Sequence, residues 1–240
     1  DGSGYASLGS AEGGSLIGVT PLLSSSADTV PELVLFNPGD VAATVDLRAD
    51  YINPGFADLT RRISIEPGSI VQLSGAQLGL IANQEAGIEY VSDREIVAFS
   101  SVDQFGEANG SALQSEAGRA FFFGDAFINR NRAGITYFET LSFYNPNDSA
   151  IAVEVELLYV NGESDTITVV VDGRGFGAID LHESSTFLNS PVATNAFSLS
   201  VTSDSLFTTN FTHYDLFFGG GWGANGASLG LLTPIDRVLA

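Results

Sequence analysis

The sequence makes one statement twice. Residues 33–53 read LVLFNPGDVAATVDLRADYIN and residues 141–161 read LSFYNPNDSAIAVEVELLYVN, 108 positions further on. Laid together without gaps, they agree at Leu33/Leu141, Asn37/Asn145, Pro38/Pro146, Asp40/Asp148, Ala42/Ala150, Val45/Val153, Tyr51/Tyr159 and Asn53/Asn161, eight of 21 positions. The agreements fall on turn residues and on apolar positions two apart, which chance would not select. Fainter matches continue downstream. Ser92-Asp93 answers Ser203-Asp204, EANGSAL (107–113) answers GANGASL (223–229), and ISIEPG answers VVVDGR with a small shift. A match sustained over this length predicts an internal duplication. The expected divisions are an N-terminal extension at 1–12, a first domain at 13–117 and a second at 118–240.

Within each copy the apolar residues recur every second position. Val41, Ala43, Val45, Leu47, Ala49 and Tyr51 alternate with Thr44, Asp46, Arg48 and Asp50, and Ile151 to Tyr159 repeats the pattern around Glu154 and Glu156. A period of two, with one face dry and one wet, belongs to antiparallel strands covered on a single side. TITVVV and FSLSVTS continue it, whereas AQLGLIANQEAG allows one or two helical turns at most. In NPGD and NPND, Asn accepts from the backbone two residues on and Pro fixes φ, which makes a reversal; EPGS and DGRG serve likewise. Short strands with turn signals every 8 to 12 residues read as all-β, antiparallel sandwiches.

The same pattern, FNPGD followed by an alternating strand ending in Tyr, then ISIEPGS and VSDREIVA, resembles the tandem immunoglobulin-like sandwich repeats of secreted bacterial cell-surface and extracellular proteins. The Cys–Trp–Cys signature of antibody domains is absent, so the resemblance is architectural. It implies two tandem domains outside the cell and no enzymatic activity.

Charge narrows the setting. There are 29 acidic residues against nine basic ones, a net charge of −20, and every basic residue is an arginine. Such a surface repels nucleic acid and anionic lipid and favours a saline or halophilic environment. Cysteine is absent, which excludes disulfides and thiolate sites, and no run suits a membrane-spanning helix. The chain starts at Asp1 and contains no methionine, the expectation for a secreted product whose signal has been removed.

Catalytic motifs fail on context. GASLG (226–230) fits a nucleophile elbow around Ser228, but no strand–helix alternation surrounds it. His182, Glu183, His213 and Asp215 could be drawn as a metal group, yet they lack ligand spacing, and packed or surface histidines are expected. GRGFG (173–177) lacks a phosphate-loop pattern. No cofactor is expected. Calcium suits Asp- and Asn-rich loops, but no D-x-[DN]-x-[DN]-G loop occurs. Two regions remain as binding candidates. One is FFGGGWGANG with Trp222, the only tryptophan, preceded by Tyr214; an aromatic there anchors a partner or sugar, or folds back on the core. The other is AGRAFFFGDAFINRNRAG (117–134), whose Arg119, Arg130 and Arg132 could dock an acidic surface of another copy or neutralise acids of their own chain.

The expected role is a non-enzymatic subunit of an extracellular filament, sheath or surface layer that packs against copies of itself. Its ends, DGSGYASLGSAEGGSLIGV and LLTPIDRVLA, are candidate linkers or donor strands to neighbouring subunits. The alternative is an adhesin-like module that binds surface glycans.

Overall fold

In the computed structural model, which describes residues 14–25, 29–104, 107–130, 137–215 and 220–235, strand faces follow the alternation of the sequence. Every odd residue from Ala43 to Tyr51 and from Ile151 to Tyr159 is buried, and the intervening residues are not. The structure is nearly all β, and its strand pairings are antiparallel. The chain divides into two units, Asp1–Ser115 and Glu116–Ala240.

The first unit contains β1 (Ser15–Ser25), β2 (Thr29–Phe36), β3 (Ala43–Tyr51), β4 (Leu59–Ile65), β5 (Ile70–Ser74), the short helix α1 (Gly75–Leu78), β6 (Gln84–Gln104) and β7 (Glu107–Ala112). Its organiser is β6. The first part of this strand pairs with β3 and β1, and after Ser92 the strand passes on to pair with β2 and β7. With β4 beside β3 and β5 beside β2, two sets result, β4-β3-β6-β1 and β5-β2-β6-β7. Leu33 and Leu35 from one set meet Val45 and Leu47 from the other in a single core.

The second unit contains β8 (Glu116–Phe127), β9 (Tyr137–Tyr144), β10 (Ile151–Tyr159), β11 (Ser164–Val171), β12 (Phe176–Asp180), a 3-10 turn at Leu181–Glu183, the helix α2 (Ser185–Asn189), β13 (Ala196–Asp215), β14 (Gly220–Ala224), β15 (Ala227–Ser228) and β16 (Thr233–Pro234). Here β13 plays the organising part. It pairs with β10 and β8 up to Thr202, meets β8 again at Phe207 after a register shift, and pairs with β9 and β14 from Thr208 onward. The sets β11-β10-β13-β8 and β12-β9-β13-β14 follow the order of the first unit, with β15 and β16 added along β8. Ser92 and Ser203 stand where each long strand changes partners, and each hydroxyl accepts the amide two residues on, at 3.3 Å.

The Asn-Pro turns do more than reverse the chain. Asn37 Oδ1 accepts the Gly39 amide at 3.0 Å, while its Nδ2 donates to the carbonyls of Val41 at 2.8 Å and Ile65 at 2.9 Å. Asn145 accepts the Asn147 amide at 2.9 Å and donates to Ser149 at 2.9 Å and Val171 at 3.1 Å. Both side chains are wholly buried. Each therefore ties its own turn to the end of the edge strand two elements later, using polar atoms that burial would otherwise leave unpaired. The EPGS turn closes with the Ser69 amide on Glu66 O at 3.1 Å and Gly68 at φ +64°. DGRG closes the same way, but Arg174 occupies the left-handed position at φ +55°. Helix α1 is the one turn that the sequence allowed, capped by Ser74 and Gln77 and ended by Gly79 at φ +88°.

The tails differ in part from the donor strands expected of them. Ser15–Val19 lies in β1 against β6, and Thr233–Pro234 pairs with β8, each within its own unit. Their backbone groups are already engaged there. Residues 1–13 and 236–240 lie outside the described residues.

Candidate binding site in the second unit

β9 carries a break in its own pattern. Tyr137, Glu139, Leu141 and Phe143 share its inward face, and Glu139 is a carboxylate at a wholly buried position. Such a group persists only with partners. Across the ladder, Glu139 stands opposite His213, and His213 stands opposite Trp222, so three strands contribute one transverse row. Glu139 Oε1 lies 2.6 Å from His213 Nδ1 and also accepts the Phe127 amide of β8 at 2.8 Å. Its other oxygen is buried without a hydrogen-bond partner. The Glu139 amide donates to His182 Nδ1 at 3.2 Å, so both histidines bear on this one residue.

The electrostatics of the pair follow from this packing. Burial pushes the Glu139 carboxyl above its usual range, against the hydrogen bond and charge of His213. Burial alone would lower His213, but the hydrogen bond and charge of Glu139, together with Asp215 and Asp125, carry it above its ordinary value. The pair therefore holds its proton tightly.

In front of the row is a cleft of about 230 Å³ lined by Asp125 and Phe127 of β8, Tyr137 of β9, His213 and Asp215 of β13, and Trp222 of β14. Its walls form a run of ring contacts: Phe127 on Tyr137 with centroids 5.1 Å apart, Tyr137 on His213 at 6.3 Å, and His213 on Trp222 at 5.7 Å. Trp222 also meets Phe211 edge-on at 5.2 Å.

The sequence candidates fare unequally here. Trp222 lines the cleft and packs against the core at once, with one ring face taken by His213. Tyr214 is buried, and its backbone alternates out of the His213 row. Arg119 and Arg130 do not come together. Arg119 is exposed on β8, and Arg130 follows it eleven residues later, on the order of 30 Å along extended chain. The Arg130 guanidinium donates to the carbonyls of Ala193 at 2.6 Å, Ser190 at 2.8 Å and Leu188 at 3.0 Å, and it lies over the Phe187 ring. It staples the loop after α2, which leaves it little capacity for an acidic partner. Arg132 lies outside the described residues. Ser228 donates to Gly230 O at 2.8 Å on a two-residue strand of an antiparallel set. Among the described residues, no three metal-ligating side chains converge.

Glu139 was the missed residue. Its signal was present in FETLSF, as a charge at an inward position of an otherwise apolar face.

No protein-family model matches the chain, and no curated protein matches it. Among solved structures, the chain is similar to Thermotoga maritima 1070, with TM-score 0.40 and 15% identity over 46% of this chain and 94% of that one. It is also similar to the Anabaena sensory rhodopsin transducer, with TM-score 0.34 and 16% identity over 40% of this chain and 97% of that one. Among the described residues, no helix is long and apolar enough to cross a membrane.

Proposed function

We propose that the chain is a non-enzymatic structural protein of the cell exterior, made of two immunoglobulin-like sandwiches copied from one, which assembles with copies of itself. The shared strand order and the paired Asn37 and Asn145 clamps support the duplication.

One observation carries the assembly reading: the edge strand β11. It pairs with β10 through eight consecutive residues without a bulge. Its sequence, SDTITVVV, contains no proline and a single charge, Asp165, whose carboxylate accepts the Tyr159 hydroxyl at 2.7 Å. A regular, β-branched edge with no charge on its outward face is a template for another strand. In a chain of net charge −20, it is also where two copies meet least repulsion. The corresponding edge of the first unit is guarded: β4 has Arg61 and Arg62 where β11 has Ile167 and Thr168. Arg62 grips both carboxylate oxygens of Asp46, at 2.6 and 2.8 Å.

Thr168 points outward beside Glu154, so Thr168→Arg transplants the guarded edge without touching the core. Light scattering should then show assemblies for the unaltered chain at high salt and single chains for T168R. Equal assembly by both proteins would remove β11 from the account. Glycan binding through Trp222 has less support, because His213 already stacks on one face of the indole.

A further inference from the structure

We propose that β11 takes as its partner the β11 of a second copy, antiparallel to it, across a two-fold axis at Thr168. The inference rests on the assembly through β11 proposed above and fixes its partner, direction and register.

The hairpin decides which backbone groups are free. The Tyr159 amide donates to Glu163 O and the Gly162 amide to Tyr159 O, both at 3.0 Å, with Gly162 at φ +86°. Tyr159 and Glu163 therefore form a hydrogen-bonded pair, and such pairs alternate along an antiparallel ladder. With Leu157 opposite Asp165 and Ile151 opposite Val171, the residues Asp165, Ile167, Val169 and Val171 turn their N–H and C=O groups to β10. Ser164, Thr166, Thr168 and Val170 turn theirs to the outer edge, and β11 stands at the end of its strand order.

This edge is complementary to itself. Around an axis at Thr168, that residue exchanges both bonds with its own copy, and Thr166 exchanges bonds with Val170 on either side. The outer face then joins Thr168 to Thr168 and exposed Thr166 to exposed Val170, β-branched pairs that suit a sheet. On the inner face, the half-buried Ile167 of each copy meets the half-buried Val169 of the other, extending the core that both already touch. Asp165 falls opposite Val171, which is buried within its own unit and needs no cover. An axis at Ile167 would instead set Val169 against Asp165.

Electrostatics select the direction. In the antiparallel pair the two Asp165 carboxylates lie about 20 Å apart along the strands. Glu154 stands opposite Thr168, so the Glu154 residues of the two copies are separated by three strand spacings, about 14 Å. Both distances exceed the screening length of about 8 Å at physiological salt. Parallel pairing in register would bring Asp165 to about 5 Å from its copy. The same axis on β4 would set Arg62 against Arg62, because Arg62 faces Asp46 as Thr168 faces Glu154. A two-fold contact closes on itself, so this edge joins two copies.

The chain has no cysteine, so each variant below carries a single thiol. Thr168→Cys should oxidise to a disulfide-linked dimer at high salt, since facing Cα atoms of a hydrogen-bonded pair lie about 5.5 Å apart, within disulfide reach. Thr166→Cys and Val170→Cys, each about 13 Å from its own copy, should stay unlinked alone and link when mixed. Light scattering of the unaltered chain at high salt should reach twice the chain mass, and thermal melting confirms that each variant is folded. Linking of all three variants on their own would mean parallel pairing and overturn the proposal. Assembly without a Thr168→Cys link would also overturn it while leaving self-assembly standing. Single chains at every salt would remove both.

Discussion

The two units present the same three-strand row in opposite chemical forms. In the first, Pro31, Val102 and Asn109 face each other across β2, β6 and β7; in the second, Glu139, His213 and Trp222 do so across β9, β13 and β14. The edges are reversed in character as well. The first unit arms β4 with arginines, while the second leaves the outward face of β11 without a charge. A common frame has thus been closed in one place and opened in another. The difference teaches that strand order and turn clamps set the architecture, and that the positions they leave free carry whatever is specific to each unit.

The comparison can be broken most severely at the buried pair. His213→Ala strands Glu139 as an uncompensated buried charge and should cost about 3 to 5 kcal/mol in urea unfolding. Converting the row toward the first unit's chemistry, with Glu139→Leu and His213→Val together, should recover most of that loss, because an apolar pair of similar volume replaces a buried ionic one at little cost. If the double variant is as unstable as the single, the row is not an interchangeable part of the frame.

Next come the shared clamps. Asn37→Ala and Asn145→Ala each leave buried carbonyls unpaired and should cost about 2 to 3 kcal/mol apiece, measured by denaturation. Unequal losses would weaken the equivalence of the units.

pH separates them further. For His213, whose folded pKa is raised, the stabilisation is complete below its ordinary 6.5 and is lost as pH rises through the folded value. Glu139, raised by burial, has the same sign. In the first unit, burial and the charge of Asp58 push Asp50 up to about 6, so its contribution declines between 3.8 and 6. The melting-temperature advantage of the unaltered chain over the Glu139→Leu/His213→Val variant should therefore shrink as pH rises above 6.5. The groups facing the pair, Asp125, Asp215, Tyr137 and His182, are common to both proteins and drop out of the difference. A constant difference would contradict the proton-holding pair.

The smallest effect lies in the turns. Arg174→Gly relieves a left-handed backbone but removes the Asp148 contact at 3.0 Å, so the net change should stay within about 1 kcal/mol by calorimetry.

How far the sequence could be read depends on which interactions are local. Alternation exposed the strand faces because it depends on backbone geometry alone. NPGD and NPND disclosed their turns because Asn acts on an amide two residues away. The same side chains also reach Ile65 and Val171, 28 and 26 residues on, and nothing in the turn foretold that. The Glu139–His213 pair spans 74 residues and becomes visible only once β9 and β13 are in register. Arg119 and Arg130 part company for the converse reason. Closeness in sequence suggested a cluster, but an extended strand carries Arg119 and Arg130 apart, and loop carbonyls take up Arg130.

The most direct test of the account is amide hydrogen exchange at low and high salt, with light scattering on the same samples. Salt screens the net charge of −20, so the scattering mass should rise with salt, and new protection should appear in Ser164–Val171 but not in Leu59–Ile65. A mass of one chain at every salt, with both edges exchanging alike, would contradict it.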